Sequence, residues 1–272
     1  MSTFYRLSIA LLPISLLLAC LLCLLLFLET RLVYPAPQGG NAVANDFGAD
    51  ECFFAAEDGT RLHAWFFERP DAERALVFFH GNGECIETCG PRVGKLAEAL
   101  NASVLIFDYR GYGKSDGNPG ERGVVQDGVA AVDWFCERTG KNSDEVVFLG
   151  YSIGGGVAIQ VAKQRPPQAF VIVASFSSLV DVAADLLPWL PVRVLMENRY
   201  ESEKTLATLD IPLQQIHGAR DRLVPLRLAE RLFAAAAASQ KQLTVVPDKG
   251  HNDLDLREFV PTIKAFLDKI AP

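Results

Sequence analysis

Basic residues are scarce in this sequence relative to acidic ones: 26 Lys and Arg stand against 33 Asp and Glu, which gives a net charge of −7 and a pI near 5.2. Binding to nucleic-acid phosphates requires a basic face, so nucleic acid is excluded as the main partner. Gly (21) and Pro (15) are not in excess among the 272 residues, which excludes collagen-like and low-complexity chains. With 50% hydrophobic and only 22% charged residues, the chain is not intrinsically disordered either.

The sequence also has no cysteine pattern that would indicate a metal site. Two of the six cysteines fall in the N-terminal hydrophobic run described below, and the others are Cys52, Cys85, Cys89 and Cys136. Cys85 and Cys89 are four residues apart at a predicted helix start, but a zinc site needs four ligands and no second pair of Cys or His has a matching spacing nearby. We therefore predict free thiols and no metal or organic cofactor, with a Cys85–Cys89 disulfide as the alternative.

Charge is absent altogether from residues 7–28, and 12 of these 22 residues are leucines. As a helix this run extends about 33 Å at ~1.5 Å per residue, enough to cross a hydrocarbon core of about 30 Å. Cleaved signal peptides have a shorter apolar core and a small-residue cleavage site. A lipoprotein-type cleavage before Cys20 is a second alternative, but it would leave eight apolar residues on the mature end. We predict that residues 7–28 are an uncleaved, single-pass membrane anchor.

The orientation of this anchor is weakly specified by charge. Arg6 flanks it on one side, while Glu29 and Arg31 flank it on the other, and acidic residues count for little in the positive-inside rule. Our interpretation is that the N-terminus is inside and the globular part is non-cytoplasmic.

Residues 35–272 form the globular part, for which we predict one α/β domain. Two aromatic-rich runs, Cys52–Glu57 and Arg61–Phe67, are joined through Asp58-Gly59, which is typical of a β-hairpin. Short apolar runs then alternate with helical patterns, which predicts an open, mostly parallel sheet with helices on both faces. The predicted strands are Leu76–Phe79, Val104–Phe107, Val146–Leu149, Phe170–Ala174, Leu213–Ile216 and Leu243–Val246, and the predicted helices lie near 92–100, 121–138, 154–164, 226–238 and 254–270. Residues 176–210 are too long for a plain crossover and are predicted to be a small helical lid.

A serine flanked by glycines lies between a predicted strand and a predicted helix. Residues 150–154 have the sequence Gly-Tyr-Ser-Ile-Gly, directly after the strand Val146–Leu149. A nucleophilic serine needs a strained strand-to-helix turn with small neighbours, because other side chains would collide with nearby backbone. The pattern alone is weak, but this context makes Ser152 the predicted nucleophile; the alternative is a structural Gly-rich turn.

Serine requires a base, and the chain has only four histidines. At a serine of this kind the partners follow in the order serine, acid, histidine. His63 and His80 precede Ser152, and His217 ends a predicted strand before the best acid. His251, on a loop after the last predicted strand, is therefore the predicted base, with a surface loop histidine as the alternative.

The acid is expected on a loop after an earlier strand at the same edge of the sheet. Asp221 meets this condition, and we predict that it orients His251 and stabilises the imidazolium. The competing carboxylates are Asp181, Asp185, Asp248 and Asp253.

When Ser152 attacks a substrate carbonyl, the carbonyl oxygen becomes an oxyanion, which needs two backbone N–H groups to stabilise it. We expect one from Ile153, the residue after the nucleophile, and the other from Asn82 in the loop 80–83 (His-Gly-Asn-Gly), with Gly83 as the second choice. The glycines of residues 108–115 match neither the Gly-x-Gly-x-x-Gly spacing nor the Walker spacing of nucleotide-binding loops. We therefore interpret this segment as a structured loop beside the site.

Together these segments resemble the α/β-hydrolase superfamily, from about Glu51 to the end of the chain. The segments that carry the resemblance are residues 79–83, 108–115, 150–154, 217–221 and 250–251. Residues 32–37 (Leu-Val-Tyr-Pro-Ala-Pro) and 198–200 (Asn-Arg-Tyr) are similar to the membrane-anchored branch related to the yeast bud-emergence protein. The resemblance implies an α/β-hydrolase fold and serine-hydrolase chemistry, and relatives include esterases and thioesterases that act on acylated proteins. Some superfamily members place their acid after the strand Phe170–Ala174, but here Ser175 follows it, which supports Asp221.

We therefore expect a membrane-tethered serine hydrolase that cleaves carboxylic esters or thioesters by an acyl-enzyme route, with a small molecule or an acylated protein as substrate. A peptidase or amidase with the same triad and a non-catalytic binding protein are the alternatives. The lid is rich in apolar side chains, and we predict that Leu187, Trp189 and Leu190 bind an acyl chain. The alternative is that they only seal the lid onto the sheet.

Overall fold

A computed structural model describes residues 29–270, so the predicted anchor at 7–28 lies outside the described residues. Within the described range, no helix combines the length and the apolar character needed to cross a bilayer. The strands are β1 (Asp50–Ala55), β2 (Arg61–Phe67), β3 (Arg74–Phe79), β4 (Ala102–Phe107), β5 (Val147–Tyr151), β6 (Ala169–Val173), β7 (Leu213–Gly218) and β8 (Lys241–Val246). The α-helices are α1 (Ile86–Ala99), α2 (Glu121–Thr139), α3 (Ile153–Val161), α4 (Leu179–Leu186), α5 (Val192–Leu195), α6 (Ser202–Leu206), α7 (Leu226–Ala235) and α8 (Val260–Ile270). Short 3₁₀ helices span Ala44–Phe47, Ser143–Glu145 and Leu256–Phe259.

The eight strands form one sheet in the order β1-β2-β4-β3-β5-β6-β7-β8. β2 pairs antiparallel with both β1 and β4, and the remaining pairs are parallel. The predicted hairpin and the mostly parallel sheet are confirmed. Its turn uses Gly59 at φ +84°, and the Ala56 N–H donates to the Thr60 carbonyl at 2.9 Å.

Helices cover both faces of the sheet, as strands that are apolar on both sides require. In β3, Val77 and Phe79 pack into a cluster with side chains of α2, α3 and α7. The alternate residues Leu76 and Phe78 pack into a second cluster with α1 and α8. This two-sided burial leaves the carboxyl ends of the parallel strands as the edge where loops are free to build a site.

Helix α1 begins at Ile86, six residues before the predicted start near residue 92. Gly90 and Pro91 both lie within the helix. Gly90 is needed for packing, because a Cβ there would come within 2.7 Å of the Trp65 ring on β2.

Cys85 is the N-cap residue of α1 and forms no disulfide with Cys89; both are free thiols. Burial raises the pKa of Cys89 well above its usual range, which keeps that thiol unreactive.

The predicted lid at 176–210 contains the short helices α4, α5 and α6, between β6 and β7. The predicted helix at 254–270 is divided into the 3₁₀ turn Leu256–Phe259 and α8. The segment that precedes the sheet is also ordered against the lid: residues 29–33 are helical, and Tyr34 is buried.

Candidate active site

Ser152 occupies a sharp turn between β5 and α3, at φ +54° and ψ −119°. This backbone conformation is strained for a residue with a side chain. The Ser152 N–H donates to the Val173 carbonyl at 2.8 Å, which ties the turn to β6. A Cβ on Gly150 would lie 2.6 Å from Gly155 Cα, and one on Gly154 would lie 2.1 Å from the Phe79 carbonyl oxygen. The two glycines of the motif are therefore required by close backbone approach.

The structure brings the three predicted catalytic residues into one hydrogen-bonded series. Ser152 Oγ lies 2.9 Å from His251 Nε2, and His251 Nδ1 lies 2.7 Å from Asp221 Oδ2. With the Nδ1–H tautomer, the imidazole donates to the carboxylate and accepts the serine proton at Nε2. This is the geometry of an activated nucleophile, with a base that is itself oriented by a third group.

Asp221 is held by its own loop. Its Oδ1 accepts hydrogen bonds from the backbone N–H groups of Leu223 (2.9 Å) and Val224 (2.8 Å), which leaves Oδ2 for His251. Beneath the loop, His217 Nε2 donates to the Val224 carbonyl at 2.9 Å. Burial lowers the pKa of His217, so the ring stays neutral beside the carboxylate. The carboxylate of Asp221, the predicted acid, is thus held in position by its own loop.

The competing carboxylates have other partners. Asp253 accepts from the Gly250 N–H at 2.8 Å, and Asp248 is an exposed partner of Arg220. In the lid, Asp181 accepts from two serines and two arginines, and Asp185 pairs with Arg227.

The loop that carries Asn82 is held from several sides. His80 Nδ1–H donates to the Gly81 carbonyl at 2.8 Å, and the Gly81 N–H donates to Glu84 at 3.0 Å. Burial lowers the pKa of His80, so this donor ring is neutral. The Asn82 side chain accepts from the Tyr112 hydroxyl at 2.9 Å, so the predicted loop at 108–115 does lie beside the site.

The two predicted oxyanion donors remain available. Among the hydrogen bonds of residues 29–270, neither the Asn82 N–H nor the Ile153 N–H donates to a protein acceptor. Both residues line the same cavity as Ser152, and Ile153 is the first residue of α3. N–H groups at a helix start favour developing negative charge.

An apolar cavity of about 270 Å³ lies between Ser152 and the lid; we call it the lid cavity. The predicted residues Leu187 and Leu190 line it, but Trp189 does not: its side chain is 69% exposed. Residues 187–191 follow the end of α4 and are not helical, so hydrophobicity alone did not show which side chains face inward.

A second, more polar space of about 750 Å³ adjoins Ser152 on the side of His251; we call it the polar cleft. Its charged lining residues are Glu84, Arg92, Asp253, Asp255 and Arg257. Ser152 therefore lies where an apolar and a polar space meet.

Sequence reasoning missed several residues of this site. Val33 and Leu32 line the lid cavity although they precede Ser152 by more than a hundred residues. The Tyr151 hydroxyl donates to the His251 carbonyl at 2.5 Å and so steadies the histidine loop. The position of Tyr151 inside the elbow motif was a usable signal, whereas no local pattern links residues 32 and 33 to the lid.

The sheet order, the strand-to-helix serine and the late histidine loop together define an α/β-hydrolase. In agreement, residues 70–200 match the family model described as "Serine aminopeptidase, S33", and residues 136–271 match the one described as "Phospholipase/Carboxylesterase".

The chain belongs to the α/β-hydrolase family. It is 35% identical to the uncharacterized protein Rv2307c of Mycobacterium tuberculosis over 260 residues, which cover 89% of this chain and 88% of that one. It is 32% identical to the uncharacterized protein YfhR of Escherichia coli K12 (76% and 75% covered) and 28% identical to the protein bem46 of Schizosaccharomyces pombe (83% and 80% covered). The predicted resemblance to the yeast branch is thus confirmed.

Solved structures show the same fold. The esterase Pf2001 of Pyrococcus furiosus superposes with a TM-score of 0.72 at 20% identity, covering 88% of this chain and 98% of that one.

Proposed function

We propose that this protein is a serine hydrolase that cleaves carboxylic esters or thioesters of apolar acyl groups. The observation that carries the proposal is the continuous series from Ser152 Oγ through His251 to Asp221, at 2.9 and 2.7 Å. It is supported by the family's hydrolase relatives and by two free amides beside the serine. A non-catalytic binding protein has no need of this series.

The reaction follows from the geometry. Ser152 Oγ attacks the substrate carbonyl while His251 Nε2 takes its proton, and Asp221 stabilises the resulting imidazolium. The carbonyl oxygen becomes an oxyanion that accepts hydrogen bonds from the Asn82 and Ile153 N–H groups. The imidazolium then gives its proton to the leaving alcohol or thiol, which departs and leaves the acyl group on Ser152. A water molecule, deprotonated by His251, repeats the attack and releases the acid.

The lid cavity sets the acyl group. Its lining is nearly all apolar, including Phe176, Leu187, Leu190 and Leu195. A methylene is similar in volume to a water molecule, whose share of liquid water is about 30 Å³, so a 270 Å³ cavity accommodates roughly nine carbons. Each buried methylene contributes about 0.8 kcal/mol. We therefore expect kcat/KM to increase with acyl length up to about eight to ten carbons.

A fluorophosphonate probe tests the nucleophile directly, because it forms a bond only with an activated serine. Wild-type protein should be labelled, and Ser152→Ala should not. Ser239→Ala, which removes an exposed serine hydroxyl, is the matched control and should be labelled normally. Equal labelling of the folded Ser152→Ala variant contradicts the proposal.

Amide hydrolysis is a second candidate, because one matching family model is described as a serine aminopeptidase. Ester and anilide substrates with the same acyl group separate the two activities. A larger kcat/KM for the anilide would make this protein an amidase.

We further propose that residues 7–28 anchor the protein as a single membrane span with the hydrolase domain non-cytoplasmic. The support is the uncharged, leucine-rich sequence itself. Protease treatment of intact cells or spheroplasts tests the orientation: the domain should be digested from outside, and its protection would reverse the assignment.

A further inference from the structure

Exposed apolar side chains occur both at the lid cavity and elsewhere on the lid. Leu32, Leu186 and Leu223 line the cavity and are nevertheless 66%, 52% and 43% exposed. On the outer side of the lid, Trp189 and Val194 are 69% and 84% exposed. We call these five residues the mouth patch. They are five of the nine large apolar side chains that are exposed among residues 29–270, which is an uneven distribution for a soluble surface.

The N-terminal segment is bonded to the lid at this place. The Glu29 carboxylate accepts from the backbone N–H groups of Glu197 (3.1 Å) and Asn198 (2.9 Å) and from the Asn198 side-chain amide (2.8 Å). The buried Tyr34 hydroxyl donates to Asn198 Oδ1 at 3.1 Å and accepts from the Tyr200 hydroxyl at 2.9 Å. Residues 29–34 therefore have a defined position against the lid.

These bonds also fix where the preceding chain leaves the domain. Glu29 itself lines the lid cavity, and it directly follows the 22 uncharged residues 7–28. A run of that length and composition is stable in a hydrocarbon core of about 30 Å. A bilayer that holds residues 7–28 must begin within a few residues of Glu29, and Leu32, Leu186 and Leu223 of the mouth patch line the same cavity as Glu29.

We propose that the mouth patch rests on the lipid bilayer and that the lid cavity takes its acyl chain directly from it, so that the substrate is a bilayer-borne ester whose acyl chain is about as long as the cavity accommodates. This rests on the proposed serine-hydrolase function. An acyl chain that passes from hydrocarbon through Leu32, Leu186 and Leu223 into the cavity exchanges one apolar environment for another. It never has to be exposed to water, which is the costly step in extracting a lipid.

The activity test uses the full-length protein in vesicles of non-hydrolysable diether phosphatidylcholine that contain a fluorogenic decanoyl ester of a diacylglycerol-like lipid. A water-soluble butyrate ester is the parallel substrate. The double variant Trp189→Ser/Val194→Ser should lose at least fivefold in rate on the vesicle-borne ester and stay within twofold of wild type on the butyrate. Val245→Ser, an exposed apolar position on β8, is the matched control and should change neither rate.

Three outcomes distinguish the claims. Failure of the wild type to cleave either ester overturns the proposed function itself. Cleavage of the butyrate without the vesicle-borne ester, or equal loss of both rates in the double variant, overturns the bilayer inference and leaves the hydrolase function intact.

Fluorescence provides a test without turnover. Of the three tryptophans, Trp65 is buried and Trp134 is packed against Phe54 and Phe66, whereas Trp189 is exposed. Brominated phospholipids should quench the emission of the wild type, and Trp189→Phe should remove most of that quenching. Unchanged quenching in Trp189→Phe, or none in the wild type because residues 7–28 or a second copy cover the patch, overturns the inference.

Discussion

The lid cavity and the polar cleft meet at Ser152 but are built differently. The lid cavity is formed by short helices and the N-terminal segment. It is lined mostly by apolar side chains, including Leu187, Leu190 and Val33. The polar cleft is formed by loops at the carboxyl edge of the sheet and by helix α1, and it contains charged side chains such as Arg92 and Asp255. Transfer of an acyl chain from water into an apolar cavity is favourable, whereas exposed charges contribute little to the binding of a solvated polar leaving group. If the proposed function holds, we expect selectivity for the acyl group and tolerance for the leaving group.

The largest expected effect on the reaction rate comes from the predicted catalytic residues, which lie where the lid cavity and the polar cleft meet. Ser152→Ala should reduce kcat by about 10⁶, as loss of a serine nucleophile does in other triads. His251→Ala should be nearly as damaging, and Asp221→Asn should cost about 10⁴ because the tautomer is no longer fixed. Steady-state kinetics on a butyrate ester measures all three.

The control for the acid is Asp248→Asn, at an exposed position in the loop before His251. Its kcat on the butyrate ester should be close to that of the wild type. A large loss there, or none in Asp221→Asn, would mean that the acid is wrongly assigned.

The polar side of this site was more accessible to sequence reasoning than the apolar side. Ser152 and its glycines are constrained by the backbone of the turn and of the neighbouring strand β3, but the result is visible in the sequence as a five-residue pattern. His251 and Asp221 follow from chain order and from loops that end parallel strands. Each of these inferences uses short-range rules about where a parallel strand ends.

The apolar side depends on contacts that no local pattern encodes. Glu29 bonds Asn198, which is 169 residues away, and only the folded chain shows it. The assignment of Trp189 failed for a related reason. Between α4 and α5 the chain has no helical period to show which side chains face inward, and Leu187 and Leu190 face the cavity while Trp189 does not.

The second prediction isolates the acyl side. Leu190→Ala should reduce kcat/KM for an octanoate ester about tenfold, because about 1.5 kcal/mol of apolar contact with the chain is lost. An acetate ester, too short to reach the lid, should be affected less than twofold. The measurement is kcat/KM across esters from acetate to decanoate.

Trp189→Ala serves as the control in the same lid, since its side chain faces away from the cavity. Its kcat/KM for these water-soluble esters should match that of the wild type at every acyl length. A flat series in wild type, or equal losses in both variants, would mean that the cavity does not hold the acyl chain.

The third prediction concerns two buried histidines beneath the polar side. Burial lowers the pKa of both His80 and His217. The unfolded chain therefore binds protons that the folded protein excludes, so stability decreases as the pH falls below the unfolded value of about 6.5. Each such proton contributes a slope of up to about 1.4 kcal/mol per pH unit. Urea unfolding between pH 7.5 and 5.5 should show the decrease.

His80→Gln separates this effect from general acid destabilisation. Glutamine is uncharged over the whole range and donates a hydrogen bond, so the variant should have a shallower slope even if it is less stable at pH 7.5. An unchanged slope would mean that His80 is protonated in the folded protein as easily as in the unfolded chain.

The smallest effect is expected at the wall of the polar cleft. Arg257 pairs with Asp255, and its side chain is 52% exposed. Exposed ion pairs contribute up to about 1 kcal/mol, so Arg257→Gln should alter kcat/KM by less than about fivefold for uncharged and anionic leaving groups alike. The comparison uses octanoyl esters of an uncharged and a sulfonated phenol, with Arg257→Lys as the charge-preserving control. A selective loss on the sulfonated ester, restored by lysine, would show that the cleft recognises an anionic leaving group. The polar side would then contribute to specificity as the apolar side does.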